Sequence, residues 1–322
     1  MSTASDLDAA HGRDPWLDFY RGLGMLVILI AHIPINGWAL WIPARFGFSD
    51  ATEIFVFCSG MASAIAFGRV FDHAGWFLGT ARIALRVWQV YWAHITIFVF
   101  LLALMVGLDA ALGGERYVRG LYLHPFFATP KAALLGLLTL GYVPNYFDIL
   151  PMYLVILALV PVVMGLAHLG RAVLVAWVLG LWAVAGFGLL DLPAEPWSAR
   201  TWFFNPFSWQ LIFFAGFAFA RGWLAAPPIT RRLISIVIAV LLVTVPFAWH
   251  RAFELVPTLG QANAVMAPLI DKTHLGALRV IHFLALAYLA YAVAGERGRC
   301  LRGAWVDVVQ LVGRQSLAVF LT

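Results

Sequence analysis

LDFYRGLGMLVILIAHIP, residues 17–34, combines the apolar composition of a membrane-spanning helix with three side chains that lipid disfavours. Asp18 and Arg21 lie near its start, and His32 lies further along. Arg21 and His32 are eleven residues apart, which is three helical turns or about 16 Å along the axis. Asp18 precedes Arg21 by one turn and Asn36 follows His32 by one turn, so all four share a face. Because charged groups are costly in a bilayer, this polar stripe is predicted to face a bundle interior or a wet cavity.

The whole chain has the composition of a membrane protein. Its 322 residues are 63% hydrophobic and 11% charged, with a mean hydropathy of +0.88, whereas soluble domains carry about 25% charged residues. The net charge of +5 is interpreted as a topology signal, and membrane lipids are the expected partners rather than nucleic acid. Two cysteines are too few for a disulfide framework. No metal site is predicted.

Apolar runs of about 20 residues predict the membrane spans. They cover residues 16–37, 51–68, 80–108, 149–168, 171–190, 206–222, 231–249, 275–294 and 305–322. The apolar segment 131–141 is too short to span and is predicted to be re-entrant or interfacial. The last run reaches Thr322 without a cap, so a tenth span is expected beyond it.

The sequence therefore predicts an all-α, polytopic transmembrane helix bundle of about ten spans, nine of them visible. A polar cytoplasmic tail, residues 1–12, would precede a single transmembrane domain, residues 13–322, truncated at its C-terminal end. With the N-terminus in the cytoplasm, eleven Lys and Arg residues fall in short inside connections and seven in longer outside loops. The positive-inside rule favours this orientation. Segments 109–148, 191–205 and 250–274 then face outward, and such loops suit handling of a substrate there.

Two acidic residues open the second predicted span. Asp50 and Glu53 lie one turn apart on one face, at the depth where His32 and Asn36 end the first span. A carboxylate beside an imidazole can fix its tautomer and raise its basicity. Asp50 is also explained as a helix cap, but a cap does not explain Glu53. Glu53 is therefore predicted to support His32, whose neutral ring can accept a proton near neutral pH.

A basic face opens the third predicted span. Arg82, Arg86 and Gln89 follow i, i+4 and i+7 spacing, and they either line an entrance suited to phosphate groups or snorkel to the interface. Asp18 and Arg21 likewise have a structural alternative, since they can pair at the interface. Weaker candidates for substrate binding, each with an alternative as an interfacial anchor or aromatic belt, are Asp148, Trp209, Gln210, Arg279 and His282.

Several ordered blocks resemble known membrane enzymes. An Arg and a His separated by ten residues, in RDPWLDFYRG…AHIP, resemble the motif of the acyltransferase-3 superfamily. The chain more closely resembles the OpgC family of osmoregulated periplasmic glucan succinyltransferases. Six blocks carry that resemblance: LDFYRG (17–22), FGFSDATEIFVFCSG (46–60), FDILPMYLVILALVP (147–161), NPFSWQLIFFAG (205–216), LRVIHFLALAYL (278–289) and LVGRQSLAVF (311–320).

The resemblance implies an enzyme of the bacterial inner membrane with an acyltransferase-3-like fold of about ten spans. It implies acyl-CoA, succinyl-CoA by family, as a cytoplasmic co-substrate, a periplasmic glucan as acceptor, and no permanently bound cofactor. By motif position, His32 takes the family's catalytic role and Arg21 that of its paired arginine. Arg82 and Arg86 resemble the basic segment of its third span. Arg21 is predicted to join these two arginines in binding the phosphates of the donor.

The chemistry of the residues agrees with acyl transfer to a hydroxyl. Such a reaction needs a general base to remove the hydroxyl proton. SGMAS at 59–63 does not have the G-x-S-x-G pattern of a nucleophile elbow. Direct attack by the acceptor hydroxyl, assisted by His32, is therefore favoured over an acyl-enzyme. The alternative from another class is a transporter or flippase for a small anionic metabolite or acylated glycan, in which the polar stripe is a proton relay. No inverted repeat of the kind found in many transporters is visible. A scaffold protein would leave His32 and Glu53 unexplained. The sequence does not determine the oligomeric state.

Overall fold

The computed structural model describes residues 14–295, 298 and 300–321, and within these ranges regular structure is helical apart from one isolated bridge between Pro193 and Thr201. The helices in chain order are α1 (Pro15–His32), α2 (Ala51–Leu112), α3 (Arg116–Gly120), α4 (His124–Ala128), α5 (Pro130–Leu138), α6 (Ile149–Leu169), α7 (Arg171–Gly186), α8 (Pro206–Ala220), α9 (Arg231–Ala248), α10 (His250–Leu255), α11 (Pro257–Val265), α12 (Ala267–Ile270), α13 (Ala277–Ala294), α14 (Ala304–Arg314) and α15 (Ser316–Leu321). The all-α prediction is confirmed for the described chain.

Four of these helices are long and apolar enough to cross a membrane: α2, α6, α9 and α13. Two shorter helices, α7 and α8, are also apolar. The chain is therefore a membrane protein by helix length and composition. The predicted tail at residues 1–12 and three arginines used for the orientation (Arg13, Arg297 and Arg299) lie outside the described residues.

Three predicted segments differ from the structure. The second and third predicted spans are continuous in α2, which is interrupted only at Gly75, where φ is 82° and ψ is 173°. The last predicted span is broken after Arg314, so it is two short helices rather than one. The segment 131–141, predicted to be too short to span, overlaps the nine-residue helix α5, which buries Ala133 and Leu137 in a hydrophobic core.

The described chain folds as two compact units that share α2 and α8. One unit holds the chain up to Ile65, Ile212–Asp271 and the chain from Leu275 onward; the other holds Ala66–Leu211 with Lys272–His274. The second unit has a core of ten buried residues that includes Phe98, Tyr142 and Trp202. This core fixes the two long loop segments, 113–148 and 187–205, against the end of α2.

In the first unit, α1 and α14 approach so closely that only glycine fits at the contact. A Cβ on Gly22 would lie 1.9 Å from the carbonyl oxygen of Val309, and one on Gly313 would lie 1.8 Å from that of Asp18. This approach brings the Arg314 Nε to 3.6 Å from the Asp18 carboxylate. The Arg21 guanidinium donates a hydrogen bond to the Ser316 hydroxyl. The two charged residues at the start of the polar stripe therefore have partners near the end of the chain.

Candidate active site

The first unit contains a buried ionic cluster, defined here as the Arg279 cluster, at the N-terminus of α2. Its members are Ser49, Asp50, Glu53, Arg279 and His282. Ser49 and Asp50 directly precede α2, and Glu53 lies in its first turn. Arg279 and His282 lie one turn apart on α13. Glu53 is 0% exposed, so its charge requires compensation inside the protein.

Asp50 and Glu53 form a reciprocal capping pair. The Asp50 Oδ1 accepts a hydrogen bond from the Thr52 N–H at 2.7 Å, and the Glu53 Oε2 accepts one from the Asp50 N–H at 2.8 Å. This is the arrangement of a capping box, in which the first and fourth residues satisfy unpaired N–H groups at the start of a helix. The cap therefore explains both residues, where the sequence suggested that it explains only Asp50.

Arg279 joins the two carboxylates. One guanidinium NH₂ group donates to the Asp50 Oδ2 at 2.8 Å, and its Nε–H donates to the Glu53 Oε1. A planar guanidinium suits such paired contacts because its N–H groups form a rigid fork. Two carboxylates thus share one cation, which leaves the cluster without positive charge to attract an anionic ligand.

His282 is fixed one turn further along α13. Its Nδ1 lies 3.3 Å from the Ser49 backbone nitrogen, whose N–H it accepts, and 2.7 Å from the Ser49 hydroxyl. Because Nδ1 is an acceptor, the neutral ring carries its proton on Nε2. A Cβ on Gly47 would lie 2.1 Å from that Nε2. A glycine at 47 is therefore a condition for this position of the ring.

Glu53 is predicted to orient His32, but the structure gives Glu53 other partners. Both Glu53 oxygens are occupied by Arg279 and by the Asp50 backbone, and no contact to His32 is among the contacts of Glu53 with described residues. His32 is exposed at the C-terminal end of α1. Its Nδ1 lies 2.7 Å from the Ile28 carbonyl oxygen, which can only accept, so Nδ1 is the donor. In the neutral ring this places the lone pair on Nε2.

The polar stripe of the first span is shorter than predicted. Arg21 and His32 lie on one helix, as their spacing required. Asn36 does not continue that face, because α1 ends at His32. It caps the short 3₁₀ helix Gly37–Leu40 by accepting from the Trp38 N–H at 3.0 Å, and its amide donates to the Ile30 carbonyl oxygen at 2.8 Å.

Comparison with known proteins gives the family. Residues 13–322 match the family described as OpgC protein, which is nearly the whole chain. The chain belongs to the OpgC family. This membership points to a glucan-modifying acyltransferase. No curated protein and no solved structure gave a match.

The OpgC blocks include all five members of the Arg279 cluster. FGFSDATEIFVFCSG contains Ser49, Asp50 and Glu53, and LRVIHFLALAYL contains Arg279 and His282. The structure brings these two distant blocks into direct contact through hydrogen bonds. Sequence reasoning assigned Arg279 and His282 only weak signals.

Three of the predicted donor-binding residues, Arg82, Arg86 and Gln89, lie on α2 in the second unit. Arg82 and Gln89 are exposed and Arg86 is half-buried. The Arg86 guanidinium lies 3.4 Å from the Gln89 side-chain oxygen, so these two share a face as predicted. An apolar groove beside them, of about 480 Å³, is lined by Ile83, Trp88, Tyr91, Leu154 and Pro161, among others.

Two predicted substrate-binding residues, Trp209 and Gln210, are fully buried at 0% exposure. The Trp209 indole donates to the Lys272 carbonyl oxygen at 2.9 Å, and the Gln210 amide donates to the Val178 carbonyl oxygen at 2.8 Å. A fully buried indole does not fit the aromatic-belt alternative.

Asp148 lies just before α6 in the second unit and is 8% exposed. Burial raises the pKa of this carboxyl from 3.8 to about 6, while the Phe203 backbone and the Arg200 guanidinium partly oppose the shift. Its Oδ1 has no hydrogen-bond partner in the described structure. Asp148 is thus a buried acid whose charge is poorly compensated.

Proposed function

We propose that this protein is an O-acyltransferase of the bacterial inner membrane. In this proposal it moves a succinyl group from cytoplasmic succinyl-CoA to hydroxyls of a periplasmic glucan, with its N-terminus in the cytoplasm. The observation that carries the proposal is the OpgC match over residues 13–322. The placement of Arg21 and His32 on one face of α1 supports it.

His32 acts as the general base in direct transfer. The acceptor hydroxyl gives its proton to Nε2 as its oxygen attacks the thioester carbonyl, and CoA leaves as the thiolate. The hydrogen bond from Nδ1 to the Ile28 carbonyl oxygen supports this role, because it directs the basic nitrogen away from the helix backbone. A positioned base of this kind contributes about 10²- to 10⁴-fold to the rate.

CoA is a polyanion, so its phosphates require cations at the membrane surface. Arg82 and Arg86 are predicted to supply them, with Gln89 as a further hydrogen-bonding group. Acyl-CoA is a co-substrate in this proposal, and no permanently bound cofactor is invoked. The Arg279 cluster is unsuited to the succinyl carboxylate, because two carboxylates already share its one guanidinium.

The test is an incubation of the purified protein with succinyl-CoA, acetyl-CoA and butyryl-CoA, each with a neutral glucan, followed by mass analysis of the glucan. Succinylated glucan is expected, together with one equivalent of free CoA per transferred group. Acylation from another donor would change the identity of the transferred acyl group and leave the proposed reaction unchanged. Absence of thioester cleavage with every donor would contradict acyl transfer.

A transporter of small anions remains the second candidate. Buried ionisable groups inside apolar helices, as in the Arg279 cluster, are typical of ion and proton pathways. Uptake of labelled succinate into sealed vesicles, without any cleavage of thioester, would favour this candidate.

A further inference from the structure

The proposed reaction gives no role to Ser316, which contacts Arg21 in the first unit. Both residues belong to this unit, Arg21 in α1 and Ser316 at the first position of α15. The Arg21 guanidinium donates a hydrogen bond to the Ser316 hydroxyl across a separation of 295 residues. By the predicted orientation this contact lies at the cytoplasmic end of α1, on the side from which the donor is proposed to enter.

The spacing of buried residues explains why Ser316 reaches Arg21. The buried residues of α14 are Val306, Val309 and Gly313. Ser316 continues their spacing of three or four residues past the helix break and meets α1 as they do. It is 3% exposed. A hydroxyl therefore stands on an otherwise apolar packing face, at the position that meets Arg21.

The two ionisable residues at the start of α1 differ in how their charge is balanced. The Asp18 carboxylate has Arg314 as a partner, with the Arg314 Nε at 3.6 Å. Among the ion pairs of the described residues, none joins Arg21 to a carboxylate. The hydroxyl that Arg21 contacts is neutral, and the Arg21 Nε is buried without a partner in the described part of the chain. A partly buried cation of this kind is costly unless an anion balances it.

A serine at position 316 holds the guanidinium without neutralising it. A carboxylate there would form a stronger, charge-assisted hydrogen bond, but it would also cancel the positive charge. The Ser316 hydroxyl accepts from one NH₂ group and leaves other N–H groups and the charge of Arg21 unused. Arg21 is half-buried, so it remains accessible from solvent. A guanidinium with a fixed orientation is suited to bind a phosphate group.

We propose that Ser316 is a positioning residue for the acyl donor. It orients the Arg21 guanidinium and leaves the positive charge available for a phosphate group of acyl-CoA. This inference rests on the proposed function for the identity of the donor, and it adds a residue from the other end of the chain to donor binding. Ser316 acts through Arg21 and does not itself contact the donor.

The test is the binding of CoA to the purified full-length protein in detergent, measured by isothermal titration. Ser316→Ala removes the hydroxyl and should weaken binding about threefold to tenfold, the effect of one lost hydrogen bond. Ser316→Thr keeps the hydroxyl and should bind as the native protein does. Ser316→Asp keeps a contact to Arg21 but neutralises it, so binding should fall about tenfold or more.

Matched controls separate the position of the change from its charge and burial. Gln315→Asp adds the same charge at the neighbouring exposed position. Ser63→Ala removes a hydroxyl from another buried serine, which is also 3% exposed. Both variants should bind CoA as the native protein does. Thermal unfolding shows whether each variant is folded, and Ser316→Asp should be at least as stable as Ser316→Ala because its carboxylate pairs with Arg21.

A purely structural role for Ser316 gives a different pattern, in which Ser316→Asp keeps both the fold and the native affinity for CoA. That result would overturn the inference, as would native affinity in Ser316→Ala. If Ser316→Asp lost co-purified phosphatidylglycerol while its affinity for CoA stayed native, Arg21 would bind lipid head groups and the inference would be wrong.

Failure of this inference is distinguishable from failure of the proposed function. An active transferase whose KM for succinyl-CoA is unchanged in Ser316→Asp would overturn the role of Ser316 and leave acyl transfer intact. Absence of CoA binding by the native protein would contradict both.

Discussion

The Glu53 carboxylate and the Arg279 guanidinium form a buried ion pair between the start of α2 and the start of α13. Asp50 is the second partner of the same guanidinium. Since the three residues belong to two separate OpgC blocks, this contact explains why both blocks carry charge inside apolar sequence.

Removal of the Arg279 guanidinium should destabilise the protein strongly. Arg279→Met is expected to cost about 3–5 kcal/mol, because it leaves two buried carboxylates without their cation. Glu53→Gln should cost less, because Arg279 keeps Asp50 as a partner. The double variant should cost less than the sum of the two single changes. Thermal unfolding in detergent measures all three. Glu115→Gln, in the exposed Glu115–Arg119 pair, is the control and should unfold like the native protein. If the effects of the two buried changes were additive in the double variant, Glu53 and Arg279 would not be directly coupled.

Gly47→Ala should displace the His282 ring. The added methyl would lie 2.1 Å from the Nε2 atom, so either His282 or the loop must move, at a cost of about 1–3 kcal/mol. Gly37→Ala is the matched control, since nothing lies within 4 Å of a Cβ there. We expect a lower unfolding temperature for the first variant only. Equal temperatures for both would mean that the loop yields without strain.

His32→Ala should fold normally and lose acyl transfer. The side chain is exposed, so little packing is lost, while the rate should fall by about 10²-fold or more if His32 is the base. His73→Ala changes another exposed histidine and should leave transfer unchanged. The rate of CoA release with glucan present measures both variants. Near-normal turnover by His32→Ala would remove His32 from the mechanism.

Arg82→Ala and Arg86→Ala should weaken binding of acyl-CoA, and the difference from the native protein should shrink at high salt, where screening already weakens the contact. Arg231→Ala, an exposed arginine on α9, is the control. Binding of 3′-dephospho-CoA to the native protein should also be weaker than that of CoA. Native affinity in both arginine variants would place the donor phosphates elsewhere.

Asp148 should make stability depend on pH. Its pKa is raised from 3.8 to about 6 by burial, so the folded state favours the protonated acid. The stabilising contribution of the protonated acid to the free energy of unfolding is complete below the pKa of the unfolded state, 3.8. It is lost as the pH rises through about 6, and the loss reaches about 3 kcal/mol by neutral pH. Asp148→Asn should therefore flatten the fall in unfolding temperature between about pH 4 and about pH 6. If the unfolding temperature of Asp148→Asn depended on pH as steeply as that of the native protein, groups other than Asp148 would cause the fall.

Local signals predicted much of the fold. Asp14 caps α1 by accepting from the Trp16 N–H at 3.0 Å, and Pro15 follows as the first helical residue, which is the usual start of a helix. Apolar runs located the remaining long helices. The break after Arg314 was missed, because an apolar run alone does not show where a helix is interrupted.

The site was harder to predict than the helices. The Asp50–Glu53 spacing indicated a shared face, but the partner of Glu53 lies 226 residues away. Periodicity indicates which face of a helix is polar and gives no information on which helix covers it. His32 was therefore paired with Glu53 by depth alone, and Arg279 and Ser49 were not recognised as members of one cluster.

The close contact of α1 with the helices at the end of the chain has a consequence for biosynthesis. Arg21 and its partner Ser316 are 295 residues apart, and a ribosome adding about 5–20 residues per second needs roughly 15–60 s to cover that interval. During this time α1 is already made, while the groups that hold Asp18 and Arg21 in the finished protein do not yet exist. We therefore expect that α1 and its charged residues wait for these partners until α14 and α15 have been made. A stop codon before α14 would leave α1 without its partners and expose the product to membrane quality control.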